Sequence, residues 1–98
     1  MLDCQSLDEV RQQIDSLDRQ IVELLAARGG YVSQAARFKR DTDEVRAPQR
    51  VEQVIAKVRT LAATAGACPE VVEQVYRAMI AAFIKAELAE HAALNPSA

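Results

Sequence analysis

One arginine stands in a row of apolar residues. Leu7, Val10, Ile14, Leu17, Ile21, Leu24, Arg28, Tyr31, Ala35 and Phe38 follow one another in steps of three and four, and only Arg28 among them is charged. A buried guanidinium with no partner is very costly. It is satisfied by a carboxylate of the protein or by a frayed end of the row, or else by a ligand carboxylate held through two hydrogen bonds. Lys39 strengthens the second reading. On a continuous helix it falls about 20° around from Arg28 and roughly 16 Å further along the axis, so the two long side chains could bracket a small dianion. A lysine near a helix C-terminus also complements the helix dipole, and Arg37 and Arg40, which face elsewhere, suit that role better.

Two more polar residues intrude on apolar stripes. Arg50 borders one, and Glu87 shares a face with Tyr76, Ile80 and Phe83. Apolar surroundings favour the neutral acid, which is a hydrogen-bond donor; a salt bridge to Arg28 is the alternative. Arg11 precedes Arg28 by 17 residues, about 25 Å along a straight helix, so one chain cannot close both on one small ligand. In an antiparallel pairing of long helices, Arg11 of one subunit could approach Arg28 of the other.

These positions require long helices. Ser6 followed by Glu9 fits a capping box and opens the first helix. Its seam, sustained for more than four heptads, predicts a rod of about 50 Å, longer than a compact domain of this size is wide. A second copy of the chain is the expected partner. Residues 41–47 (DTDEVRA) are polar and aperiodic, and are expected to form a mobile loop that orders over an occupied site. Pro48 suits the first turn of a second helix, with Val51, Val54, Ile55, Val58, Leu61 and Ala62 inward and Gly66 as its stop. Pro69 opens a third helix, with Val72, Val75, Tyr76, Met79, Ile80, Phe83, Ile84 and Leu88 inward, running to about Leu94 before Asn95-Pro96. The expected fold is all-α, with three helices in one domain spanning 1–98.

Composition agrees with that fold and narrows the partners. Among 98 residues half are hydrophobic, yet only 4% are aromatic, and Ala, Val, Leu, Glu, Gln and Arg favour helix. A net charge of −2 argues against a general nucleic-acid or anionic-membrane surface, so a bound anion must meet a local cluster of cations. No apolar run approaches the ~18 residues that span a membrane, and no signal-peptide pattern opens the chain. Cys4 and Cys68 make no disulfide framework, and His91, the single histidine, leaves a Cys/His zinc site short of ligands. The expected location is the cytoplasm, with reduced thiols.

The segment LDEVRQQIDSLDRQIVELLAAR, the RFK ending in Lys39, the APQRV containing Arg50 and the last helix with Glu87 together resemble the all-helical (AroQ-type) chorismate mutase family, from about Cys4 to His91. The resemblance implies an intertwined homodimer with two equivalent sites, each completed by an arginine from the partner's first helix, and it implies neither metal nor cofactor. It assigns the two carboxylates of chorismate to Arg28 and the partner's Arg11. Lys39 would meet the enolpyruvyl side chain and its ether oxygen, Glu87 would donate to that oxygen, and Arg50 would support the ring side. Val32, Phe83 and Ile84 would line the ligand.

Conversion of chorismate to prephenate is a pericyclic rearrangement without a covalent enzyme intermediate. The protein must hold the folded diaxial conformer and stabilise negative charge growing on the ether oxygen. The chain departs from the best-known mutases where they carry acidic side chains at the start of their second helix; here Ala47 and Val51 stand. APQRV and the preceding loop length are similar instead to salicylate-forming isochorismate–pyruvate lyases, which share the fold and also show mutase activity. Those lyases are similar at Phe83 but carry Gln where Glu87 stands. The mutase, the activity both branches share, is the expected function and the lyase its alternative. A helical dimerisation module without activity would need solvated cations, against their seam positions. Gly29-Gly30 costs roughly 1–2 kcal/mol relative to Ala-Ala inside a helix. The missing side chains would admit a neighbouring helix or a ligand, or else reflect neutral drift.

Overall fold

In the computed structural model, which describes residues 1–94, every long element is a helix and no strand occurs among the described residues. The order is α1 (Leu7–Ala36), α2 (Thr42–Arg46), α3 (Pro48–Ala65) and α4 (Pro69–Leu94). The three long helices are those the periodicity predicts. The expected stop at Asn95-Pro96 lies outside the described residues.

The helix ends follow from local chemistry. Ser6 Oγ accepts from the Glu9 amide at 3.1 Å, while the Glu9 carboxylate accepts from the Gln5 amide at 2.6 Å. This is a capping box shifted by one residue on its return arm. Asp41 caps α2 by accepting from the Glu44 amide at 2.9 Å. Gly66 ends α3 in the left-handed conformation at φ 78°, and its amide returns to Ala62 and Ala63 carbonyls.

Contacts divide the chain into two compact units, Met1–Tyr31 and Val32–Ala98. The first is the capped, longer part of α1. Its seam residues Leu7, Val10, Ile14, Leu17, Ile21, Leu24 and Tyr31 are exposed in the single chain, with Leu24 at 69% and Tyr31 at 73%. The Gly29-Gly30 pair does not interrupt the helix, and a Cβ built on Gly30 meets no atom within 4 Å.

The second unit holds the core. Ala36, Val45, Ile55, Val58, Ala62 and Ile80 are its buried apolar residues, brought together as α3 packs along α4 and α2 against α4. Two expected inward positions turn out exposed: Leu61 at 54% and Val75 at 59%. Each lies at the edge of its helix stripe, where a two-helix contact covers fewer positions than a full bundle would. Salt bridges join the polar edges of α3 and α4. Arg77 grips both oxygens of Glu52 at 2.9 Å and Glu73 at 2.8 Å, and Glu73 also takes Arg59 at 2.8 Å.

Two expectations about the connection from α1 to α3 need correction. The seam was expected to run on to Phe38 and Lys39, but α1 stops at Ala36. A tighter turn follows, with amides of Arg37, Phe38 and Lys39 returning to the carbonyls of Gln34, Ala35 and Ala36. Lys39 is therefore not on Arg28's helix, and helical angle does not place the two on one face. Residues 41–47 were expected to be a loop with nothing to fix it in a core. They form the helical turn α2, and Val45 is 1% exposed. A five-residue helix shows no usable periodicity, so Val45, the one large apolar residue in DTDEVRA, passes for noise in the sequence.

Candidate active site

The end of α1, the α1–α2 connection and α4 converge on Lys39. Its Nζ donates to Glu87 Oε2 at 2.8 Å, across 48 residues of sequence. The Glu87 side chain is 4% exposed and that of Lys39 25%. The Glu87 side chain is thus enclosed, while a quarter of the Lys39 side chain remains exposed. An ammonium has three N–H donors, so the bond to Glu87 leaves it capacity for oxygens of a ligand.

Lys39 is held at its main chain as well. His91 Nε2 lies 2.9 Å from the Lys39 carbonyl oxygen. Glu87 and His91 are one turn apart on α4 and both are buried, so a single face of α4 engages the side-chain tip and the backbone of one residue. In the sequence His91 is only the single histidine, too few for a Cys/His zinc site. Its spacing of four from Glu87 was the signal that could have found it. Among the described residues no group of three or more His, Cys, Asp and Glu is arranged to hold a metal ion.

The neighbouring cation is committed elsewhere. Arg40 donates through its backbone amide and its Nε to Glu44, the latter at 2.8 Å. The Arg40 amide, then its side chain, hold the Glu44 carboxyl below the usual carboxylate range. The Glu44 bond in turn raises Arg40.

The remaining predicted residues are distributed along the helices. Phe83 and Ile84 are half-buried on α4 within one turn before Glu87, and Val32 is half-buried near the end of α1. Arg50 is exposed in the first turn of α3. In the first unit Arg11 is exposed and Arg28 half-buried on the same helix, about 25 Å apart along its axis. The resemblance directs Lys39 and Glu87 to the same ether oxygen, and the structure places these two side chains in contact. The salt bridge considered for Glu87 was with Arg28; the one the structure forms is with Lys39. Two surface hollows, along α1 at Asp15, Asp18, Arg19, Val22 and Glu23 and along α3 at Pro48, Gln49, Glu52, Gln53 and Ala56, contain none of the predicted site residues.

A family model described as chorismate mutase type II matches residues 10–88, most of the chain and all of the segment from Arg11 to Glu87. The chain belongs to this family. Over 53 residues the chain is also 40% identical to a Pseudomonas aeruginosa protein named isochorismate pyruvate lyase. That match covers 54% of the present chain and 52% of the relative, so it spans about half the length of either. No helix among the described residues is long and apolar enough to cross a membrane.

Proposed function

We propose that this protein is a chorismate mutase that converts chorismate to prephenate as a homodimer. The observation that carries the reading is the Lys39–Glu87 pair, 2.8 Å apart and largely enclosed, in a chain of the chorismate mutase type II family. In the rearrangement the ether C–O bond breaks as a new C–C bond forms, with no net proton transfer and no redox change. The breaking bond leaves negative charge on the ether oxygen. An ammonium fixed by a buried carboxylate is a preorganised donor for that charge and needs little reorganisation as it grows. Arg28 and the partner subunit's Arg11 would hold the two carboxylates, with Arg50 at the ring side and Val32, Phe83 and Ile84 lining the ligand.

The exposed seam of α1 supports the dimer. Ile14, Leu17, Ile21 and Leu24 form an apolar stripe of a length that coiled pairing would bury. A shared site also accounts for the 17-residue separation of Arg11 and Arg28 on one helix. One domain spanning the chain, with two copies intertwined, follows from the same reading.

A second reading has its own observation. Identity to the named lyase favours isochorismate–pyruvate lyase activity, in which a hydrogen moves within isochorismate as pyruvate leaves and salicylate remains. Incubation of the purified protein with each substrate separately decides between them. Prephenate from chorismate with no salicylate from isochorismate supports the mutase. Faster release of salicylate and pyruvate from isochorismate supports the lyase, and no turnover of either overturns both.

A further inference from the structure

Lys39 sits where a backbone would ordinarily be loose. It follows the last turn of α1, lies outside any helix, and precedes the short α2. An aliphatic lysine stem carries large rotamer freedom, so a defined position of Nζ requires that its Cα be held. The Lys39 amide returns to Ala36 at a long 3.4 Å. The firmer anchor on its main chain is the 2.9 Å contact from its carbonyl to His91.

We propose that His91 is a positioning residue for Lys39: its Nε2–H donates to the Lys39 carbonyl and fixes the connection after α1 so that Nζ stays against Glu87. A carbonyl only accepts, so Nε2 must carry the hydrogen. The imidazole is 8% exposed, and it stands one turn beyond Glu87 on a long helix packed in the second unit. Both anchors of Lys39 therefore come from one rigid element, which sets the separation of backbone and side-chain tip. This role rests on the proposed function of Lys39 as a donor to the substrate, but the hydrogen bond itself does not.

Two variants and one spectroscopic measurement test it. His91→Leu keeps an apolar side chain in the buried position and removes the donor, whereas His91→Gln restores an N–H near the Nε2 position. In folded proteins, His91→Leu is expected to lower kcat by about 10- to 100-fold with a much smaller change in KM, and His91→Gln to recover most of the loss. Equal impairment of both variants, or a kcat for His91→Leu within about twofold of the native value, overturns the role. Nitrogen NMR of the native protein needs neither a variant nor activity. A protonated Nε2 in the native protein, with a Lys39 carbonyl shift that moves in His91→Leu, supports the bond, whereas a neutral ring protonated at Nδ1 overturns it. If the native protein turns over neither substrate while Nε2 is protonated and the carbonyl shift moves, it is the proposed function that fails and not the clamp.

Discussion

Lys39 and Glu87 meet at 2.8 Å although the first follows the end of α1 and the second lies deep in α4. The Glu87 side chain is almost fully enclosed and that of Lys39 partly exposed. In a low-dielectric setting each group depends on the other, and truncating one leaves a buried charge without its partner. Lys39→Ala is therefore expected to reduce kcat by about 10²–10³ and also to lower stability, read by steady-state kinetics and thermal unfolding. A loss of stability with kcat unchanged would make the pair purely structural.

Glu87→Gln separates two roles of the same residue. If Glu87 donates a proton-bearing oxygen to the ether oxygen of the substrate, the amide supplies a permanent donor of similar shape. The variant then keeps most of the activity. Glu87→Ala is expected to lose about 2–4 kcal/mol of transition-state stabilisation at every pH. Should the folded Gln and Ala variants prove equally inactive across a pH–rate profile, the charge beside Lys39 is what matters.

The dimer and the shared site are tested together by complementation. Arg11→Ala and Arg28→Ala chains are each expected to be inactive, and mixing them after unfolding and refolding should restore activity. In a heterodimer one site collects both lesions and the other is intact. Sedimentation at micromolar concentration should give about twice the chain mass, and a fully active monomer would exclude the shared site.

The connection between α1 and α3 offers a stability test with opposite signs. Val45 is fully enclosed, so Val45→Ala should cost about 2 kcal/mol in denaturant unfolding. Ala47 adopts φ 40° and ψ 60° between α2 and α3, a left-handed conformation that strains a side chain. Ala47→Gly is expected to raise stability by about 0.5–1 kcal/mol.

The surface network between α3 and α4 predicts the pH dependence of unfolding. Hydrogen bonds from Arg77 hold the Glu52 and Glu73 carboxyls below their ordinary value of 4.5, and these bonds raise Arg77 in turn. A depressed carboxyl contributes stability that is full above its unfolded value and is lost as pH falls through its folded one. The melting-temperature difference between the native protein and Glu52→Gln should therefore be largest at neutral pH and shrink on acidification below 4.5. It should also shrink in ~1 M salt, because these exposed groups are screened.

Residue pattern alone determined the three long helices and their ends at Pro48, Gly66 and Pro69. Helix periodicity and capping act over a few neighbours, and a linear reading contains them all. It also marked Arg28, Lys39, Arg50 and Glu87, because a charge in an apolar stripe is a conflict visible without coordinates. Tertiary structure decided where α1 stops and with whom Glu87 pairs. The turn at Arg37 and Phe38 places Lys39 off the helix, and α4 supplies both of its partners from about fifty residues away. The same packing turned DTDEVRA into α2 by burying Val45, a single residue whose periodicity is too short to read. His91 carried no motif of its own. Its meaning lies in the fold, since a lone histidine acquires a role only from the group its ring nitrogen meets.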